Sequence, residues 1–368
     1  MSASTLANSI APDRDRLRVI DCDIHPAPRS MAELDRWLPE RWRQYRREYG
    51  IRLRQPFATG HPYPKATPAL SRYDSWPPNG GPPGSDLDFM RRQHLDLYDI
   101  EFGMLQPLAA RGMDERNPGF AEAVSRAVNE WTREEWTSRE PRLKAAIAVP
   151  GEDAAASVRE IERWVGQKDF VQISMVTRAL EPLGRQRYWP IYEAAEHYGL
   201  PLGLHSLGTS GHPVTGGGWP SFYFEEHQAV AMSLAAMCAS FILEGVVERF
   251  PRLRIVVIEG GFGWVPALGW RMDGAWKSLK SEVLHLRRKP SEYLRSNFWF
   301  TTQPVEEPEQ PEHLRTLIDW IGWDRLLFAT DYPHWDSDDP RYAFKCRMSD
   351  AERRAIFAEN ARAVYALA

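Results

Sequence analysis

Two stretches near opposite ends of the chain carry side chains that can hold a cation or move a proton. Asp23 and His25 sit one residue apart in Val19-Ile20-Asp21-Cys22-Asp23-Ile24-His25, so an extended strand sends both from the same face. Far downstream, Asp331 and His334 follow the apolar run 326–329 in Thr330-Asp331-Tyr332-Pro333-His334. Between them, His205 ends Leu200-Pro201-Leu202-Gly203-Leu204, and Glu259 ends Ile255-Val256-Val257-Ile258. Each residue alone has an ordinary reading, a histidine as packing or an aspartate as a turn cap. As a set, Asp23, His25, His205 and Asp331 offer the carboxylates and imidazoles that suit Zn²⁺, Mn²⁺ or Fe²⁺.

Such a set works only if the strand ends converge. The run 326–329 is apolar on consecutive positions, as in a strand covered on both faces, and Pro333 stops it. Strand signals recur at 19–24, 104–106, 144–149, 170–176, 200–205, 255–258 and 298–301. Helical patterns fall at 31–49, 85–98 with Ser85 as cap, 119–139, 152–166, 187–198, 225–250, 265–286, 308–321 and 350–365. That makes about eight strand–helix units, the number that closes a parallel barrel with its chemistry at the C-terminal strand ends. A doubly wound open sheet would place a Gly-rich phosphate turn after the first strand, and Asp23-Ile24-His25-Pro26 stands there instead. The expected architecture is an α/β (β/α)8 barrel at 19–368, preceded by an arm at 1–18. A Pro/Gly-rich insertion at about 50–85, between the first and second strands, reads as a lid or binding loop.

Composition narrows the function classes. The chain has 368 residues, 43% hydrophobic and 26% charged, with net charge −4, which leaves no electrostatic footprint for nucleic acid or an anionic membrane. The apolar run 229–243 is too short and Ser-interrupted for a bilayer and reads as a buried helix. The arm at 1–18 lacks the basic start and apolar centre of a signal peptide. Cys22, Cys238 and Cys346 are scattered and odd in number, so a reducing cytoplasm is expected.

The motifs Asp23-x-His25, His205 after Leu200-Pro201, Arg252-x-Arg254 leading to Glu259-Gly260-Gly261, and Thr330-Asp331-Tyr332-Pro333-His334 resemble those of the amidohydrolase superfamily. Within it, the likeness is to the aminocarboxymuconate-semialdehyde decarboxylase-like branch. The resemblance implies a distorted barrel, one divalent ion, a small-molecule substrate and a homodimer. It also assigns Asp23, His25, His205 and Asp331 to the metal. Two departures stand out. Many members carry His where Asp23 stands, and the decarboxylases usually carry His where Glu259 stands. A carboxylate at 259 would repel a substrate carboxylate, which favours hydrolysis of a lactone, amide or similar bond over nonoxidative decarboxylation of an aromatic or dienoic acid. A non-catalytic barrel that only binds is the remaining, more distant reading.

The expected chemistry follows from that choice. The ion, Zn²⁺ before Mn²⁺ or Fe²⁺, acidifies a water, and Asp331 takes its proton and returns it to the leaving group. Glu259 acts as a second acid/base or orients His205, and His334 donates to the substrate or supports Asp331. Arg178 can hold a substrate carboxylate by its planar fork, although a surface salt bridge also accounts for it. His212 and Trp219 wall the pocket, and His227 begins a helix whose inner face can bury it.

Overall fold

The computed structural model describes residues 18–50, 70–108, 112–206 and 213–368. Eight parallel strands form one sheet in sequence order. They are β1 (Val19–Ile24), β2 (Ile100–Leu105), β3 (Leu143–Ala148), β4 (Phe170–Val176), β5 (Leu202–His205), β6 (Ile255–Ile258), β7 (Phe298–Thr301) and β8 (Leu326–Leu327). β8 then returns to β1. Cys22 N–H donates to Phe328 O, Asp331 N–H to Asp23 O, and His25 N–H to Tyr332 O, which brings the ring round to a distorted barrel.

The consecutive apolar residues are buried on both faces. Ile255 and Val257 pack outward against the helices, while Val256 and Ile258 turn inward to Ile20, Cys22, Met104, Leu327 and Ala329. Ala358 of the π-helical turn Ala355–Glu359 and Ala361, Val364 and Tyr365 of the last helix, Asn360–Tyr365, join that inner set. Removing each Val, Ile, Leu or Met side chain of this set from water contributes about 1.5–3 kcal/mol.

Several elements differ from the sequence reading. The expected helix 31–49 splits into a 3-10 turn Met31–Arg36 and a helix Glu40–Tyr49, because Pro39 cannot continue the first and starts the second. The expected cap Ser85 yields to Asp86, whose carboxylate accepts Phe89 N–H at 2.7 Å. That helix runs Leu87–Met90 and continues as a π-helical turn, Arg91–Leu95. The expected helix 225–250 breaks at Gly245, which stands at φ 84° between Tyr223–Leu243 and Val246–Arg249. The first of these is 21 residues long and, by length and composition, apolar enough to cross a bilayer, although the apolar run 229–243 within it is shorter. It follows β5 and buries Val230, Leu234, Cys238, Phe241 and Ile242 against the barrel, which accounts for its composition. Residues 1–17 of the expected arm, 51–69 of the insertion, and His212 lie outside the described residues.

The described end of the insertion is tied to the barrel mouth. Ser71 pairs with His334 in an antiparallel bridge, Trp335 N–H donates to Leu70 O, and Arg72 N–H donates to Pro333 O. Gly84, at φ 78°, lies so close that a Cβ there would meet His25 O at 2.3 Å. Only glycine fits against that carbonyl.

Candidate metal centre and active site

A bulge in β1 aims the first pair of ligand candidates. Asp21 pairs with Gly103 and Ile24 with Leu105, three steps on β1 against two on β2. Ile20 and Cys22 therefore point into the barrel and Ile24 out of it. Asp23 and His25 both reach the mouth. Asp21, which plain alternation would add to them, turns away to His94 and Thr330.

At the far ends of β6 and β8 the backbone turns sharply. Glu259 stands at φ 55° and Asp331 at φ 62°, left-handed conformations that non-glycine residues hold only where their surroundings impose them. Through these turns the structure brings together all four expected ligands, and Glu259 and His334 with them. His25 Nε2 lies 2.6 Å from Asp331 Oδ1 and 3.3 Å from Asp23 Oδ1. His205 Nε2 lies 3.7 Å from Asp23 Oδ1 and 3.4 Å from Glu259 Oε2. His334 Nδ1 is 2.8 Å from Asp331 Oδ1, and its ring stacks on His25 with centroids 4.5 Å apart.

The tautomers make this an electron-rich cage. His25 Nδ1 faces Gln106 O at 2.9 Å and His205 Nδ1 faces Ser206 O at 2.5 Å, so each Nδ1 carries the hydrogen. Both Nε2 lone pairs are then left pointing at carboxylates. Asp23 Oδ1 and Oδ2, His205 Nε2 and Asp331 Oδ2 are buried with no hydrogen-bond partner among the described residues. Ligand atoms of Asp23, His25 and His205 fall within 4.8 Å of one another, as do those of His25, Asp331 and His334. Acceptors converging without protons between them fit a divalent cation, and the imidazole-carboxylate mixture suits a borderline ion.

Burial sets the charge states. It lowers the pKa of His25 to about 4, holding the neutral ring that can ligate. It raises the Asp331 carboxyl to about 6 and also lifts Asp23 and Glu259. For His334 burial opposes the charge, but the Asp331 carboxylate outweighs it and raises the pKa to about 9. Burial likewise works against charge on His205, which the Asp23 carboxylate nevertheless raises.

Beside the cage is a small cavity of about 20 Å³, lined by Leu70, Tyr223, Glu226, His227, Val230, Glu259, His334 and Asp336. A larger one, about 270 Å³, lies behind the loop after β8, against His94, Thr330 and Tyr332, away from the ligand set. Arg178 is not on the surface. It is 7% exposed and donates to Glu226 Oε1 at 2.6 Å, so it meets the small cavity through that carboxylate. Trp219 is 40% exposed and does not line that cavity, where Tyr223 supplies the aromatic wall. Sequence reasoning passed over Asp336, which holds His227 Nε2 at 3.0 Å and accepts from Gln303 Nε2 at 3.1 Å. It also passed over Asp21, although Asp-x-Asp-x-His was there to be read.

The fold and site define a class, and the comparisons agree. The amidohydrolase family model matches residues 20–367, and the chain belongs to the amidohydrolase superfamily, in its aminocarboxymuconate-semialdehyde decarboxylase-like branch. It is an enzyme of that superfamily. Gamma-resorcylate decarboxylase of Polaromonas sp. is 28% identical over 303 residues, 77% of this chain and 88% of that protein. A 2-keto-4-carboxy-3-hexenedioate hydratase of Sphingobium sp. is 28% identical over 236 residues, 59% of this chain and 62% of that one. Among solved structures, 5-carboxyvanillate decarboxylase of Novosphingobium aromaticivorans superposes with TM-score 0.69 at 18% identity, over 96% of this chain and 97% of that one. It was solved with manganese and 4-hydroxy-3-methoxy-5-nitrobenzoic acid.

Proposed function

We propose that the chain is a metal-dependent nonoxidative decarboxylase of an aromatic acid. Asp23, His25, His205 and Asp331 would hold one divalent ion. The single observation behind that reading is the convergence of both imidazole Nε2 lone pairs on buried carboxylate oxygens that lack hydrogen-bond partners. The reaction type rests on the gamma-resorcylate decarboxylase relative, which supports the alternative raised from the sequence over hydrolysis. Manganese takes precedence over zinc as the ion to test, because the carboxyvanillate enzyme holds it.

When bound, the ion supplies a Lewis acid that anchors an oxygen-rich substrate and stabilises developing negative charge. The chain's own residues do the rest. Asp331, whose carboxyl burial raises to about 6, is the acid placed to give a proton to the ring carbon as the bond to the carboxylate breaks and CO₂ leaves. His334, donating to Asp331 Oδ1, returns a proton to it. Ser206 Oγ donates to Glu259 Oε2 at 2.7 Å, which fixes that carboxylate beside His205. Leu70, Tyr223 and Val230 exclude water from the side of the cavity facing Glu259.

One observation favours a second reading. The buried Glu259 carboxylate faces the cavity, where a neutral lactone or amide meets less repulsion than an acid. Purified protein loaded with Mn²⁺ or Zn²⁺ and offered hydroxylated benzoic acids alongside lactones and amides separates the two. CO₂ release with the acids is the expected result. Turnover of the neutral substrates alone would replace decarboxylation with hydrolysis.

A further inference from the structure

Behind the cage lies a buried polar cluster that none of this chemistry uses. The Asp21 carboxylate, 0% exposed, accepts four hydrogen bonds. They come from Asp23 N–H at 3.2 Å, Thr330 N–H at 2.9 Å, Thr330 Oγ1 at 2.5 Å and His94 Nε2 at 2.8 Å. A single side chain thus touches the backbone of one ligand candidate and the residue preceding another. The π-helical turn Arg91–Leu95 meets the residues on either side of Asp331, Thr330 and Tyr332. His94 stacks on Tyr332 with centroids 4.6 Å apart and planes 18° from parallel. Gln93 Oε1 accepts the Tyr332 hydroxyl at 2.8 Å. Thr330 Oγ1 also accepts Tyr332 N–H at 3.2 Å, closing the cluster around the left-handed Asp331.

We infer that Asp21 and His94 are positioning residues that set how Asp331 is presented to the cation. The β1 bulge and the π turn are the two irregularities that bring them to the back of Asp331. Joining β8 to β1 does not require them. The seam has its own backbone bonds, Asp331 N–H to Asp23 O and His25 N–H to Tyr332 O. Apolar residues would hold two strands together at least as well as a buried carboxylate, whose distinctive contribution is direction. Here the direction is set at both ends of the ligand set at once, through Asp23 N–H and through Thr330. Partners that orient metal ligands typically change metal affinity by about 10- to 100-fold when removed.

The inference rests on the cation reading above, and its test reads binding rather than turnover. Metal-depleted wild type, Asp21→Asn, His94→Leu, Thr330→Val and Thr330→Ser are each titrated with Mn²⁺ by calorimetry, with thermal melting in parallel. Asn at 21 keeps one acceptor oxygen and puts an NH2 donor in place of the other, against Thr330 Oγ1 and His94 Nε2, and Leu at 94 removes a donor. Both should weaken Mn²⁺ binding by roughly 10- to 100-fold. Thr330→Val should weaken it too, whereas Thr330→Ser, which keeps the hydroxyl, should bind as wild type does. Folded variants that melt lower yet bind Mn²⁺ with wild-type affinity would show a structural cluster only and overturn the inference. If Asp21→Asn does not fold, the Val and Ser variants at 330 decide it. A wild type that takes up neither Mn²⁺ nor Zn²⁺ removes the cation reading itself, and this inference with it.

Discussion

Asp331 Oδ1 accepts from His334 Nδ1 at 2.8 Å and faces the His25 Nε2 lone pair at 2.6 Å, while Oδ2 has no partner among the described residues. Asp331→Asn keeps the shape and removes the acid, so turnover should fall by about 10³-fold or more with the fold intact by circular dichroism. Wild-type rates in that variant would exclude Asp331 as the proton carrier. Glu259 poses a different question, because its Oε2 is 3.4 Å from His205 Nε2 without belonging to either group of converging ligand atoms. Glu259→Gln is expected to lose rate by about 10²-fold while binding the same amount of metal. Loss of the ion from that variant, measured by elemental analysis, would make Glu259 a ligand.

The elements that carry these residues are fastened at their other ends as well. Glu140, just before β3, accepts from Arg142 Nε at 2.9 Å and from Arg91 Nε at 2.8 Å, pinning the start of the π turn to the barrel. Hydrogen bonds from Arg142, then from Arg91, hold the Glu140 pKa down to about 2 despite burial. A depressed carboxylate stabilises the fold above its unfolded value near 4.5 and loses that contribution as pH falls towards 2. Glu140→Gln should therefore be less stable than wild type at pH 7 by about 1–2 kcal/mol, the partly exposed arginines having reduced the figure, and the gap should narrow below pH 4.5 and close only as pH reaches about 2. Melts that differ equally at both pH values would contradict this. At this scale the limits of the sequence are plain. The unbroken apolar runs at 255–258 and 326–329 gave away their strands, and the acids and imidazoles at strand ends marked the ligand candidates that the structure brings together. The bulge in β1 did not show, because it depends on register against Ile100–Leu105 rather than on anything local. Nor did the left-handed conformations of Glu259 and Asp331, because residues other than glycine hold them. The partners His94 and Asp336 are set by long-range packing and leave no spacing to read.

For the whole molecule, the proposed cation would be coupled to the fold. Asp23, His25, His205 and Asp331 are buried together, and converging carboxylates repel one another unless a positive charge or a proton lies between them. Chelation should therefore lower the melting temperature, and added Mn²⁺ should restore it. At a hundredfold excess over Kd the gain is about 2.7 kcal/mol, a shift of several degrees for a chain of this size. A scanning-calorimetry trace unchanged by chelator would mean that the protein holds no ion worth measuring.

The seam between β8 and β1 has one more consequence. His25 and Asp331 are 306 positions apart, yet they meet where the first strand joins the last. Asp23 and His25 are made together on β1, His205 follows on β5, and Asp331 arrives only 306 residues after His25. A truncated chain ending before residue 326 would contain Asp23, His25 and His205 but lack the strand that carries Asp331. Ion uptake would therefore report that the C-terminal end of the chain has docked onto its beginning.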